Sequence, residues 1–273
     1  MTKTMAQKQA CRRKKMKKNE LIKTIEAFCP SATAEDWDNC GFQVNCGKEE
    51  IACVLVSLEV TNEIIDEAIE EGADFILTHH PLLFQGIKKI DNNDVIGNYI
   101  IRLIQNQISV YSCHTSFDKL PGGNNDYIGT LLELSNVRPF DNDNGFCRKG
   151  NTLFETTFIE VVHKAAECFD IDEKYFKCVG DLTTAIDTIG WCSGAGSDFI
   201  KAAAAEGCDL YITGDLKYHE AQLAKEMGIC ILDAGHYGSE KIFAENMADF
   251  LRAGCKDDEI EILESMTDIN PFI

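Results

Sequence analysis

No apolar stretch in the 273 residues approaches the roughly 20 needed to cross a bilayer, and the N-terminus has no apolar centre of the kind a secretory signal carries. A soluble, cytoplasmic protein without a membrane partner is therefore expected. No C-x-x-C pair occurs, and 13 cysteines is an odd number in a long chain, which argues against a disulfide framework and for a reducing compartment. Several cysteines stand where strands want an aliphatic residue, as in Ala52-Cys53-Val54 and Ile229-Cys230-Ile231. Cys40 and Cys46 lie too far apart for knuckle spacing and receive no metal role. Cys113, beside His114, is the one thiol to watch for reactivity. Acidic residues are missing from the first 18 positions, which hold eight of the 26 basic ones; the remainder has 18 basic against 45 acidic residues, a net charge of −27. Such a body repels duplex nucleic acid, while carboxylates gathered in a cleft attract divalent cations. Residues 1–18 read as a disordered basic tail and solvated extension, with a nuclear-localisation patch or an organellar transit peptide as alternatives.

What is present is hydrophobic content of 45%, enough for one large or two modest domains. Helical spacing covers Asn19 to Phe28, with Pro30 as its stop, and a buried-type strand covers Ile51 to Ser57. A helix over Thr61 to Glu71 and a strand over Asp74 to Leu77 complete a β-α-β unit, which favours parallel strands and a right-handed crossover. The run ends in T-H-H-P. In a regular strand His79 and His80 would point to opposite faces, so they serve one site only if the chain turns at once, and Pro81 supplies a reason for the turn. Taken alone, the doublet reads as readily as one buried and one surface histidine.

The unit returns 135 residues later: E-G-A-D-F-I-L-T-H-H at Glu71–His80 aligns with E-G-C-D-L-Y-I-T-G-D at Glu206–Asp215. Strand and helix are expected over Ile186 to Ser193 and Ser197 to Glu206. Each copy continues into a further strand, Ile108 to Ser112 and Ile229 to Ala234, and then into His-x-x-x-acid: His114 to Asp118, and His236 to Glu240. A separation of four puts imidazole and carboxylate on one face of a helical turn. The expected fold is α/β, two intertwined β-α-β-type repeats in a two-lobed unit with a metal cleft between the lobes. The lobes are set at 19–130 and 131–273, with no inserted domain.

Five of six histidines fall in these motifs. Paired divalent ions need bridging carboxylates and capping neutral imidazoles. Asp118 and Glu240 suit the first role and His79, His80 and His236 the second; His114 and His219 are placed around them, orienting ligands or moving protons. Mixed nitrogen and oxygen donors accept two ions of Zn, Mn, Fe, Co or Ni without choosing among them. Singly, Asp118 could only shape a turn and Glu240 only favour a helix start. The loop C-S-G-A-G-S at Cys192–Ser197 reads either as a weak phosphate cradle or as tight packing, and Ser193 lacks the flanking glycines of a hydrolase elbow.

Together W-D-N-C-G-F-Q-V from Trp37, T-H-H-P from Thr78, H-T-S-F-D from His114, G-G-N-N-D from Gly122, T-G-D-L-K-Y-H-E from Thr213, D-A-G-H-Y-G-S-E from Asp233 and the closing N-P-F resemble the Nif-three-like dinuclear-metal proteins, a family also called GTP cyclohydrolase 1 type 2. The match runs from about Met16 to the end. The resemblance implies a toroidal homo-hexamer, a two-metal site on His79, His80, Asp118, His236 and Glu240, and opening of the GTP imidazole ring. One departure is Asp215, where the family usually has glutamate. Two functions follow as expectations: a metal-dependent hydrolase acting on a small molecule, or a non-catalytic metal-binding ring that regulates or chaperones a partner.

Overall fold

The computed structural model describes residues 14–140, 145–255 and 260–272. From the N-terminal side, strand β1 (Met16–Lys17) leads into helix α1 (Lys18–Phe28), followed by strands β2 (Gly41–Val44) and β3 (Glu50–Ile51). Met16 is buried and pairs with Ile51, Lys17 with Glu50, so the end of the expected tail is an ordered strand and Lys18 is already helical. The reason is local: an apolar methionine among lysines finds an antiparallel partner and a covered site. The expectation for residues 1–13 lies outside the described residues.

The first repeat is β4 (Cys53–Ser57), α2 (Asn62–Glu71), β5 (Phe75–Thr78), α3 (Val95–Gln105) and β6 (Ser109–Ser112). Thr61 caps α2 by accepting from Ile64 N at 3.3 Å, and Gly72 ends it in the left-handed conformation that glycine adopts without strain. Strands β4 and β5 are parallel and adjacent, as the β-α-β spacing predicts, and β6 adds to β5 in the same sense. After β6 come α4 (Thr115–Asp118), α5 (Asn124–Leu131), β7 (Ser135–Pro139), β8 (Arg148–Thr157), α6 (Phe158–Phe169) and β9 (Lys177–Val179). The second repeat is β10 (Ala185–Trp191), α7 (Ile200–Ala205), β11 (Leu210–Thr213), α8 (Tyr218–Met227) and β12 (Cys230–Asp233). Its strands are again parallel and adjacent. Helix α9 (His236–Glu240) follows, then α10 (Phe243–Gly254) and β13 (Glu261–Glu264).

The chain up to Phe117, together with Phe243 onward, forms one compact unit, and Asp118–Ile242 forms the other. The division thus falls earlier than the expected 130/131, and the final helix and strand belong with the first repeat. Strand β13 adds in parallel to β4, with Ile262 opposite Val54, which draws the C-terminal segment into the first sheet. The five-stranded order is β13-β4-β5-β6-β2, and the six-stranded sheet of the other unit runs β7-β8-β10-β11-β12-β9. Antiparallel strands flank the parallel ones at the remaining ends: β2 on β6, β8 on β10 with β7 beyond it, and β9 on β12.

Alternation along the strands explains why these runs are apolar throughout. In the second unit Leu210, Ile212 and Leu232 feed one core cluster while the intervening Tyr211 and Ile231 feed another, so both faces of the sheet are buried. In the first unit Cys53, Leu55, Ile76 and Val110 pack with Ile64, Ile65 and Leu103 from the helices. Among the described residues every cysteine is free, and no helix is long and apolar enough to cross a membrane.

Leu55 is fully buried in β4 at the heart of the first cluster. Leu55→Ala should cost about 2–5 kcal/mol by urea denaturation, against about 1 kcal/mol for the cap variant Thr61→Ala.

Candidate metal centre

Strand β5 ends at Thr78, and both following backbone amides donate to one acceptor: His79 N to Leu58 O at 3.1 Å and His80 N to the same oxygen at 2.9 Å. The His80 carbonyl is held from the other side by Thr78 Oγ1 at 2.9 Å and Ser112 Oγ at 3.3 Å. The alternation of the strand is broken at the doublet. The two imidazoles consequently lie with ring centroids 5.1 Å apart, which a continued strand would forbid.

His79 is fully buried and its Nδ1 lies 2.9 Å from the Cys113 carbonyl. A carbonyl only accepts, so Nδ1 carries the proton and Nε2 keeps the lone pair. His114 follows the same logic: its Nδ1 lies 2.9 Å from Asp38 Oδ1. The other Asp38 oxygen accepts from Thr115 N at 3.1 Å, Thr115 Oγ1 at 2.5 Å and Cys40 Sγ at 3.3 Å. Burial opposes charge on Asp38, but the hydrogen bonds from His114 and Thr115 outweigh it and hold this carboxyl far below the usual range. The His114 ring stands 5.2 Å from His79 and 5.5 Å from His80, and one donor nitrogen from each of the three lies within 4.8 Å of the others.

In the other unit helix α9 presents His236 and Glu240 one turn apart, with Nε2 and Oε2 at 2.9 Å. The Nδ1 of His236 lies 2.8 Å from Asp215 Oδ2. Both imidazole nitrogens therefore face carboxylate oxygen, and a neutral ring has one proton to offer. A second positive charge, a proton or a divalent cation, is required at Nε2, and Glu240 is buried where such a charge has little competition from water. Asp215 makes this contact from the left-handed region, φ 56°, which aspartate tolerates better than most residues. The acid shorter than the usual glutamate thus still reaches His236.

The glycine-rich loop is built for packing. Gly194 N donates to Ser239 Oγ at 2.9 Å and Gly196 N to Thr213 Oγ1 at 2.9 Å, so these amides are committed inside the protein and the phosphate-cradle reading falls. Gly194, at φ +62°, would drive a Cβ into the Glu240 carboxylate and to 3.2 Å from His236 Nε2. Gly214, at the position of His79 in the first repeat, has His236 N only 2.6 Å from where a Cβ would stand. A histidine there has no room.

His79, His80 and His114 are brought together in one unit, and His236 with Glu240 in the other. His114, expected behind His79 and His80, stands beside them. Asp118 is buried at the end of α4, its carbonyl accepting from Asn125 Nδ2 at 3.3 Å. Neither Asp118 nor His219 falls in a three-donor group among the described residues. His219 is exposed at the start of α8 against the Tyr218 ring, 5.3 Å away, because that turn faces outward. His163 is a surface residue paired with Glu173 at 2.6 Å. Cys113 is buried, and its hydrogen bond with Cys29 and the loss of solvent push its thiol upward, which overturns the expectation of reactivity. Asp38 escaped the sequence reading although W-D-N was visible, because nothing in one sequence says which imidazole an acid 76 positions away will hold.

A family model for Duf34/NIF3 (NGG1p interacting factor 3) matches residues 16–271. A Clostridium perfringens protein named GTP cyclohydrolase 1 type 2 homolog is 36% identical, over 94% of this chain and 99% of its own. A Streptococcus pneumoniae protein of the same name is 35% identical, over 93% and 98%. Among solved structures, a Bacillus cereus protein related to NIF3 shares the fold, with TM-score 0.89 at 22% identity over 95% of this chain and 99% of that one. Reduced HcgD from Methanocaldococcus jannaschii gives TM-score 0.79 at 32% identity over 93% and 99%.

Asp38→Asn should abolish the preference of His114 for a protonated Nδ1, read from long-range proton–nitrogen correlations of the histidine rings. Because folding depresses the Asp38 pKa, its stabilisation is present above the unfolded value of about 4 and is lost as pH falls below it. The stability gap between wild type and this variant should shrink in step. Native Cys113 should resist alkylation under conditions that label the exposed Cys178, checked by mass spectrometry.

Proposed function

The chain belongs to the Duf34/NIF3 family, and from that premise we propose that it is a dinuclear metal-binding protein and a metal-dependent hydrolase of the GTP cyclohydrolase 1 type 2 kind, acting on a small molecule. The proposed ligands are His79, His80, Asp118, His236 and Glu240. The observation that carries the reading is the anchoring of Nδ1 in His79 and His236, which orients both rings, together with a His236–Glu240 pair whose second charge a cation would supply. Outer partners that fix an imidazole in this way are characteristic of metal-ligating histidines. Mixed imidazole and carboxylate donors fit Zn, Mn, Fe, Co or Ni.

Two such ions would supply a water acidic enough to be deprotonated near neutral pH. The protein's own share is to hold and move protons. His114, oriented by Asp38, offers Nε2 as the group that accepts and returns a proton. His219, exposed on α8, is proposed for the outer proton path. Assembly as a toroidal homo-hexamer is proposed from the family resemblance and is tested by gel filtration with light scattering.

The purified protein should hold two divalent ions per chain by elemental analysis and turn over a member of a hydrolase panel that includes GTP. His79→Ala and Glu240→Ala should remain assembled, lose metal, and lose more than roughly 100-fold in turnover, since even outer partners of such ligands are worth about 10–100-fold. A metal-loaded protein that turns over nothing, while both variants lose binding of a partner protein, would establish the regulatory ring in place of the hydrolase.

A further inference from the structure

The W-D-N-C-G-F-Q segment builds something besides the hold on His114. Trp37 is 57% exposed and Phe84 51% exposed, yet neither sits on a slack loop. Asn39 Nδ2 donates to the Leu83 carbonyl at 2.6 Å, and the buried Gln43 accepts from Leu83 N at 3.0 Å. Gln43 Nε2 in turn donates to Asn39 O at 2.6 Å. Asp38, between Trp37 and Asn39, is bonded to His114 and Thr115. The backbones bearing both rings are thus braced against each other and against the histidine cluster by a connected set of hydrogen bonds.

The rings meet at 5.9 Å between centroids, tilted by 52°. Each also stands at a steep angle to His114, Trp37 at 6.0 Å and Phe84 at 6.3 Å. Exposing two large aromatic rings side by side forgoes the burial that normally stabilises them, and rigid exposed rings bordering a candidate reaction centre are the usual means of taking a flat ligand at low entropic cost. We propose that Trp37 and Phe84 form the substrate's ring-binding wall, selecting a planar heteroaromatic such as a purine and laying it beside His114. This rests on the hydrolase reading above and assigns the residues that would hold the ring of its substrate. At 5.9 Å no third ring fits between the two, so the ligand stacks on the outer face of Trp37 with Phe84 closing one side. Stacking tolerates any base because each has a π-face, so this wall sets the class, and groups elsewhere set the base.

The two tryptophans make a direct test possible. Trp191 is fully buried and Trp37 is exposed, so their emissions separate into blue and red components. In the metal-loaded full chain, guanosine and adenosine should quench the red component saturably, while inorganic triphosphate and ribose should not. Phe84→Leu should weaken that binding about tenfold or more, the scale of one base–aromatic contact, and Phe84→Tyr should restore it. Metal content should be unchanged in both variants. Absence of saturable quenching, or equal binding by Phe84→Leu, overturns the proposal. So does a red component shielded from iodide in the ligand-free assembly, because a second copy of the chain would then cover the rings. Ring binding without metal uptake would keep the wall and remove the hydrolase; metal uptake without ring binding would do the reverse.

Discussion

The Leu58 carbonyl is the constraint on which the histidine cluster of the first unit depends. By accepting from the backbone of both His79 and His80, it stops strand alternation at the one point where alternation would send the two imidazoles to opposite faces. Thr78 and Ser112 hold the His80 carbonyl from the other side, so the turn is fixed by backbone bonds and two buried hydroxyls. Pro81, three residues past the end of β5, does not aim the rings. The aim comes from Leu58, which lies just beyond β4, the neighbouring strand.

A second device recurs around it. His79, His114 and His236 each have Nδ1 engaged, by the Cys113 carbonyl, by Asp38 and by Asp215. Three unrelated acceptors take the proton of Nδ1 and turn Nε2 away from them, toward Glu240 in the case of His236, and each also fixes the plane of its ring. Orienting imidazoles in this way avoids the cost of ordering them when a ligand arrives. The two repeats reach this state by different routes because they cannot share one. In the first, the strand end carries the doublet. In the second, Gly214 packs against the backbone of His236, which moves the histidine to α9 and leaves Asp215 to orient it.

Much of this was legible. The parallel pairs β4-β5 and β10-β11, the helices α2 and α7 between them, the further strands β6 and β12 and the His-x-x-x-acid turns follow from apolar runs, glycine stops and the 135-residue repeat. The placement of His236 and Glu240 was legible because i,i+4 spacing is a local property of a helix. What escaped was long-range. Strand β13 pairs with β4 across some two hundred residues, so the unit boundary moved to Phe117 and Phe243. The acid that holds His114, the burial that silences Cys113 and the internal use of the Gly194 and Gly196 amides are also contacts between segments distant in sequence.

The sequence by itself determined the α/β repeats, the family, and the residue types available to hold a metal, because periodicity and spacing act over a few turns of chain. Only the tertiary structure decided which nitrogen each histidine presents, which carboxylate orients it, and that Trp37 and Phe84 stand exposed beside His114. A tautomer or an exposed ring face is set by whatever atom packs within about 3–6 Å, and in a folded chain that atom usually comes from another element.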